Sequence, residues 1–513
     1  MNISRRKECL MKFERSSGVI LHPTSLPGPY GIGDLGTQAH SWLDFLADCR
    51  CGLWQILPLG PTGYGDSPYQ CFSAFAGNPY LISPEALYED GLLLAEDLED
   101  RPEFPQNHID YGQVIPWKLN LLDKAFANFG KKVSPELSSS YTHFIQEQAS
   151  WLDDFALFMA LKETYQGAPW TSWQPEQRDR DQQALSKAGK ELAISISRHV
   201  FRQYIFFRQW NSLRKKAIQL GIRIIGDIPL YIAHDSADVW ANPELFYLNR
   251  TGMPTVVAGV PPDYFSPTGQ LWGNPLYRWQ EHKRTGYSWW IRRIRSALNQ
   301  VDILRLDHFR GFAGYWKVSG KAKTAEVGRW VRGPGKEFLR EIRQSLGDLP
   351  IIAEDLGVIT KDVEAMRDDL GLPGMKIVQF SFGSGPKDPF LPHNYIRNCV
   401  VYTGTHDNDT ARGWYERVSE EERDFCRRYL NGDGSQVAWD MIRAAWSSVA
   451  MMALAPVQDF LNLGNEARMN YPGNPSGNWT WRMPPETMET ELQGRIRELN
   501  YLYARESSAL SIQ

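Results

Sequence analysis

Cysteine is scarce in this sequence: Cys9, Cys49, Cys51, Cys71, Cys399 and Cys426 are the six in 513 residues. So few exclude a disulfide framework in so long a chain, and the Cys49–Cys51 pair has no second pair with which to make a zinc site. A reducing, cytoplasmic setting is therefore expected. Missing too is any run near the ~18 consecutive apolar residues of a membrane span, so no membrane partner is expected. Met1 to Arg15 is basic without an apolar core, which gives no expectation of a secretion signal, and Met11 can serve as an alternative start with residues 1–10 disordered. Excess charge of one sign is also lacking: Lys plus Arg total 56 and Asp plus Glu 60, a net −4. Neutralising phosphates takes a concentrated excess of Lys and Arg, so nucleic acid is excluded as a partner. There is no low-complexity tract and no repeat of fixed period.

What is present describes a folded chain, 42% hydrophobic and 23% charged, with 19 Trp, 22 Tyr and 23 Phe. Flat aromatic faces suit the C–H faces of sugar rings, which brings carbohydrate in as an early hypothesis. Short apolar runs recur at Gly18–Leu21, Trp54–Leu57, Ile222–Ile225, Ile303–Leu306, Ile351–Ala353, Met375–Phe380, Val400–Tyr402 and Met452–Ala455. Runs apolar on both faces read as buried parallel strands. Helical periodicity alternates with them: Ala39, Trp42, Leu43, Leu46 and Ala47 after a Thr37 cap, then Tyr287 to Leu298, then Phe338 to Leu346. Eight strands alternating with helices predict an α/β chain of (β/α)8 TIM-barrel type. The gap from Pro58 to Ile222 is too long for one connection, so it holds an inserted subdomain with helices of its own, such as Arg198 to Leu220. The expected division is a single catalytic unit with its barrel core at 16–60, 195–230 and 280–513. Insertions after strands 2 and 3 cover about 61–194 and 231–279.

Chemistry in such a barrel sits at the carboxyl ends of the strands. Asp227 follows the third run and Asp307 the fourth, in Arg305-Leu306-Asp307-His308-Phe309-Arg310. Glu354-Asp355 follows the fifth, and His406-Asp407-Asn408-Asp409 the seventh. Any one carboxylate reads equally well as a helix cap or a loop acceptor. Acidic positions after four different strands are harder to explain so. Alternation puts Arg305 and Asp307 on one face, where the cation can hold the carboxylate ionised. An ionised carboxylate facing a second carboxyl is the equipment of retaining glycoside chemistry.

These runs resemble the α-amylase clan, and more closely the 4-α-glucanotransferases of the amylomaltase, or disproportionating-enzyme, family. The likeness extends from His22-Pro23-Thr24-Ser25-Leu26-Pro27-Gly28 through Gly63-Tyr64-Gly65-Asp66-Ser67-Pro68-Tyr69-Gln70 and Val260-Pro261-Pro262-Asp263-Tyr264-Phe265. It continues through Thr405-His406-Asp407-Asn408-Asp409-Thr410 to Gly477-Asn478-Trp479-Thr480-Trp481-Arg482. The resemblance implies a retaining transferase, using no cofactor, that moves α-1,4-glucan segments to the 4-hydroxyl of acceptor glucans through a covalent glucosyl-enzyme. The substrates implied are maltooligosaccharides, amylose, glycogen or starch, with plastid residence if the source is a plant. Asp307 would be the nucleophile, Glu354 the acid/base and Asp407 the transition-state stabiliser. The implied substrate-binding set is Arg305, His406, Asp227, Tyr64, Tyr69, Asp263, Tyr264, Phe265, Trp272 and Asn274. The segment Gly259 to Gly273 would be a flexible loop over the cleft, favouring a sugar acceptor over water. A chain without a long β-domain after the eighth strand fits this family better than α-amylases, although an α-amylase-like hydrolase with the same three carboxylates is the alternative. A catalytically inert glucan-binding protein would lack one of the three.

Other patterns read blandly. Gly31-Ile32-Gly33-Asp34-Leu35-Gly36 spells a dinucleotide motif, but Pro23, Pro27 and Pro29 separate it from its strand and Trp54-Gln55-Ile56 stands where an acidic residue is needed. It is expected to shape the cleft floor. Asp307 and His308 point to opposite faces of an extended strand, and no cysteine joins His308, His406, Asp407 and Asp409, so no metal site is assigned. Asn478-Trp479-Thr480 is a glycosylation pattern without meaning in a cytosolic chain, and Trp290 is expected in the core.

Overall fold

The computed structural model describes residues 13–131, 134–262, 266–474 and 476–507. Met11, Asp263, Tyr264 and Phe265 lie outside the described residues. Twelve strands occur among those described. They are β1 (Ser16–Ile20), β2 (Leu53–Gln55), β3 (Arg223–Ile228), β4 (Val256–Val260), β5 (Gln270–Pro275) and β6 (Ile303–Leu306). The rest are β7 (Gly314–Ser319), β8 (Gly328–Arg332), β9 (Ile351–Ala353), β10 (Gly374–Ile377), β11 (Cys399–Tyr402) and β12 (Met452–Pro456). Eight of them pair in parallel in the order β10-β11-β12-β1-β2-β3-β6-β9, and each overlaps one of the eight apolar runs. This is the expected (β/α)8 barrel.

Alternation explains why the runs are apolar throughout. Ile20, Leu53, Ile225, Ile303, Ile352, Met375, Val400 and Met452 fill the barrel interior. Their neighbours Val19, Trp54, Ile224, Leu304, Ile351, Val401 and Ala453 pack outward in the large core shared with the helices. Two residues further along the inner face the chemistry changes: Gln55 follows Leu53, Asp227 follows Ile225, Arg305 follows Ile303 and Tyr402 follows Val400. The apolar floor thus turns into a polar mouth, with the Tyr402 hydroxyl donating to Gln55 Oε1 at 2.9 Å.

The remaining four strands form an antiparallel sheet, β5-β4-β7-β8. One hairpin leaves the barrel between β3 and β6, the other between β6 and β9. The reading by apolar runs does not register the second excursion, because in Gly314–Ser319 and Gly328–Arg332 the apolar stretches are only two residues long, broken by Lys317, Arg329 and Arg332. Helices Tyr111–Phe129, Pro135–Thr164 and Ala193–Gln219 occupy the long connection from β2 to β3. From the last of them, Gln203 grips Gly77, accepting its N–H at 2.7 Å and donating to its carbonyl at 2.8 Å. Gln209 does the same to Ser83 at 2.7 and 3.2 Å. Gly77 has to be glycine, since a Cβ there would meet the Phe206 ring at 1.9 Å. Those clamps hold the loop bearing Tyr64 and Tyr69.

Thr37 does not cap its helix. It is the first residue of Thr37–Asp48, and its hydroxyl donates to Glu85 Oε2 at 2.8 Å, while Gly36 takes the cap position. In the glycine-rich stretch, Gly33 presses against the turn after β1, where a Cβ would meet the Pro23 carbonyl at 2.0 Å. That close approach, not a nucleotide, explains the glycine.

The barrel has one weak seam. β9 and β10 share the backbone bond Ala353 N to Pro373 O, 3.0 Å, in place of a ladder. Asp355 completes it, accepting from Met375 N at 2.7 Å and pairing with Arg367 Nη1 at 2.5 Å. Gly374 makes room, since a Cβ would lie 2.4 Å from Asp355 Oδ2. Removing a buried partner strands the other, so Asp355→Ala is expected to cost about 3 kcal/mol. Chemical denaturation of the two proteins measures it; a loss under about 0.5 kcal/mol would mean the seam holds without it.

Candidate active site

The carboxyl ends of β3, β6, β9 and β11 bring Asp227, Asp307, Glu354 and Asp407 to the mouth. Arg305 is 4% exposed, and its Nη1 lies 2.6 Å from Asp227 Oδ2 and 2.9 Å from Asp307 Oδ1. The same-face placement expected from alternation is what the structure contains. Asp227 Oδ2 also accepts the Tyr69 hydroxyl at 2.7 Å, while its Oδ1 has no partner among the described residues. Burial drives the Asp227 carboxyl above its ordinary range against the pull of Arg305, and Arg305 itself stays charged.

After Asp307 the chain turns sharply. His308 adopts a left-handed backbone, φ 51°, ψ 47°, which costs a non-glycine residue about 1 kcal/mol. The turn aims the His308 N–H at Glu354 Oε2, 2.7 Å away, while Leu356 N donates to Oε1 at 2.8 Å. Both Glu354 oxygens are thereby fixed. Burial and the adjacent Asp307 charge push the Glu354 carboxyl up to about 7. His308 faces Trp272 edge to face at 4.9 Å, and burial lowers its imidazole to about 4, so it is neutral near pH 7.

Asp407 has 45% of its side chain open to the cleft. Desolvation opposes its charge, but His406 Nε2 at 3.4 Å from Oδ1 and Asn470 Nδ2 at 2.6 Å from the same oxygen hold it well below the usual carboxylate range. His406 answers in kind: burial lowers its pKa, and Asp407 raises it above the ordinary value. Arg468 Nη2 donates to the Asp407 carbonyl at 2.5 Å and also pairs with Asp409. Asp409 is therefore a brace for the loop and not a reacting group, and Asp355 belongs to the seam.

Of the aromatic candidates, Tyr69 enters the site, stacked on His406 with centroids 5.1 Å apart, and Tyr64 does not, standing 77% exposed. Trp272 reaches the site through His308. Asn274 is buried, donating to the Ile232 carbonyl at 2.8 Å and facing Gln70 at 3.4 Å. Sequence reasoning missed Asn470, Arg468 and the packing of Trp479 against both Tyr69 and His406 at 5.7 and 5.9 Å. All three lie in the irregular chain after β12, where no strand end marks them. His22 was also missed as a site residue; its Nδ1 accepts from Leu57 N at 3.3 Å, and burial and His406 lower it to about 3. Among the described residues no group of three or more His, Cys, Asp or Glu could hold a metal ion.

Comparison with known proteins agrees with this geometry. The sequence profile of the 4-alpha-glucanotransferase family matches residues 21–488. A curated 4-alpha-glucanotransferase from Thermus thermophilus is 52% identical over 497 residues, covering 95% of this chain and 99% of that protein. One from Synechocystis is 50% identical, covering 96% and 98%. The solved amylomaltase from Streptococcus agalactiae, in complex with acarbose, superposes with a TM-score of 0.93 at 39% identity, covering 96% of this chain and 100% of that one. The chain belongs to the 4-α-glucanotransferase family.

Its enzyme activity is that of the family, and the hydrolase alternative is not favoured. In a 4-α-glucanotransferase the group that protonates the leaving oxygen acts only while it holds a proton. If Glu354, whose carboxyl lies at about 7, is that group, kcat/KM for maltotriose is expected to be level below pH 6 and to fall roughly tenfold per unit on the alkaline side. A pH–rate series from 5 to 9 measures this. A profile flat to pH 8.5 would take the proton away from Glu354.

Proposed function

We propose that the protein is a retaining 4-α-glucanotransferase in which Asp307 attacks the anomeric carbon and Glu354 protonates the departing glycosidic oxygen. The observation that carries this reading is the pairing of an Arg305-held carboxylate with a carboxyl raised to about 7 on the next strand of the barrel. In the first step the C1–O bond breaks as the Asp307 ester forms, and the Glu354 proton passes to the leaving sugar. In the second, Glu354 as carboxylate takes the proton of an acceptor's 4-hydroxyl, whose oxygen displaces Asp307. Asp407 grips the sugar hydroxyls and balances the oxocarbenium charge, with His406 beside it; Asn470 and His406 both engage Oδ1, and Oδ2, with no hydrogen-bond partner among the described residues, serves that grip. Arg305 and Asp227 support the nucleophile, and Tyr69 offers its ring to the reacting glucosyl unit.

The acceptor side belongs to the same proposal: Trp272 and Asn274 on β5, Tyr64 on the rim, and Asp263, Tyr264 and Phe265 from the sequence reading. So do the substrates (maltooligosaccharides, amylose, and glycogen or starch), work in the cytoplasm, and a unit divided into barrel and insertions at about 61–194 and 231–279. Among the described residues no helix is long and apolar enough to cross a membrane. A 4-alpha-glucanotransferase from Arabidopsis thaliana, 44% identical, is named chloroplastic/amyloplastic.

Chromatography of maltotriose incubated with the pure protein tests the activity: glucose and longer oligomers without a net gain of reducing ends are expected, and reducing ends rising with every bond cut would mean hydrolysis. Asp307→Asn is expected to lower turnover by several orders of magnitude with the fold intact, because no ester can form. Glu354→Gln, given a donor with a good leaving group, is expected to accumulate glucosyl-enzyme visible by intact mass; an adduct missing there would count against the acid/base role. For the acceptor side, Tyr264→Ala and Phe265→Ala are expected to raise the ratio of hydrolysis to transfer, since an aromatic platform holds sugar and keeps water away. The ratio of reducing ends formed to glucosyl units transferred measures it, and an unchanged ratio in both variants removes that role.

A further inference from the structure

An exposed apolar ridge stands at the rim of the barrel mouth, built on β8, the free edge of the four-stranded sheet. Trp330 at the centre of that strand is 43% exposed, and Val327 just before it is 83% exposed. Trp330 lies directly opposite Trp316 on β7, with centroids 5.4 Å apart at 64°. Trp316 is pinned by its indole N–H to the Ala325 carbonyl at 2.9 Å. The Arg310 guanidinium lies over the Trp330 ring, 4.0 Å from its centroid, and donates through Nη1 to the Val358 carbonyl at 2.5 Å. The Val358 side chain is itself exposed. Arg310 stands three residues after Asp307 and Val358 four residues after Glu354. The ridge therefore joins both loops that carry the reacting carboxyls.

We propose that Trp330, Arg310 and Val358 form a glucan subsite beyond the reacting centre, holding a neutral α-1,4-glucan chain where it runs out over the rim. This rests on the glucan-transfer reading. An edge strand is ordinarily blunted by charge, and exposed Arg329 and Arg332 do that for β8. Although Arg310 lies over its ring, the indole between them remains 43% exposed, which works against both solubility and edge protection and leaves area for something more to cover. A glucosyl unit suits the ring: its C–H face stacks on the indole, and its hydroxyls meet the N–H groups of Arg310. Continuity with the loops of the reacting carboxyls identifies the occupant, because a long chain bound there has to leave the cleft along its rim. Short substrates end before reaching it.

The contrary reading makes Arg310, Trp330 and Val358 a clamp that merely keeps the two loops together. Substrate length separates the two. The experiment compares kcat/KM for maltotriose and for long-chain amylose in wild type, Trp330→Ala and Trp330→Phe, and adds retardation of each protein in gels containing amylopectin. Trp330→Ala is expected to lose about tenfold more on amylose than on maltotriose and to be retarded less, with Trp330→Phe recovering most of both. Equal losses on the two substrates would make the ridge a clamp, and no loss on either would make it idle; both overturn the proposal. So would undiminished retardation of Trp330→Ala, or retention of anionic polymers in place of neutral amylopectin. Failure of the underlying reading looks different, since wild type itself would then not disproportionate maltotriose.

Discussion

A guanidinium that is 4% exposed keeps its charge only if nearby carboxylates replace the water it has lost, and Arg305 has two, Asp227 at 2.6 Å and Asp307 at 2.9 Å. The rest of the mouth follows from that triad. With Asp227 and Asp307 sharing one cation, a further ionised carboxyl beside Asp307 has no charge left to meet it. Glu354 is that further carboxyl, and it keeps its proton to about pH 7. Asp407 stands on the other side beside His406, whose pKa it raises, and with a donor in Asn470, and it is held well below the usual carboxylate range. The placement of a single arginine and one histidine thus sets the four acidic groups apart: Asp227 and Asp307 share Arg305, Glu354 keeps its proton to about pH 7, and Asp407 is held well below the usual carboxylate range.

That placement is inexpensive in sequence because a period of two does most of it. Ile225 and Asp227, Ile303 and Arg305, and Val400 and Tyr402 differ only in height along the same inner face. The barrel closes under them through the Asp355 seam, and the loops above are braced separately. Asp459, fully buried, accepts from Thr403 at 2.5 Å and from Ala411 N at 2.7 Å, which ties the loop bearing His406 and Asp407 to the end of β12. Gln203 and Gln209 brace the loop bearing Tyr69 from the helical insertion. Each brace satisfies backbone groups that a loop would otherwise leave buried and unpaired.

This division sets what could be read without coordinates. The barrel strands announce themselves as apolar runs, and acidic residues within five positions after four of them, Asp227, Asp307, Glu354 and Asp407, meet at the mouth, while His22, directly after the first run, is passed over. Such a reading fails where its premise fails. β5, β7 and β8 mix apolar residues with polar, charged or small ones and are only partly buried, while β4, Val256–Val260, is an apolar run that the reading left inside an insertion. Asn470 and Trp479 follow no strand at all. Nothing in the order of residues says that His308 turns left-handed, or that of two tyrosines in one motif Tyr69 enters the cleft and Tyr64 stays in solvent. Those outcomes depend on partners distant in the chain: Glu354 for His308, and Asp227 and His406 for Tyr69.

The mouth, like other buried parts of the fold, leaves some polar groups unmet among the described residues. Asp227 Oδ1, Arg305 Nε and His406 Nδ1 are buried with no partner among the described residues, and each such atom costs about 1–3 kcal/mol. Glu354 adds to the cost in a pH-dependent way. Its carboxyl titrates at about 7 when folded, above its ordinary value near 4.5, so its contribution to stability is complete below about pH 4.5 and is lost as the pH rises through 7. Loss of the Glu354 proton, on which the proposed mechanism depends, and loss of stability then share causes, burial and the charge of Asp307 held in place by Arg305. A change that relieved the strain by neutralising Asp307 would, on the mechanism proposed above, remove the nucleophile with it.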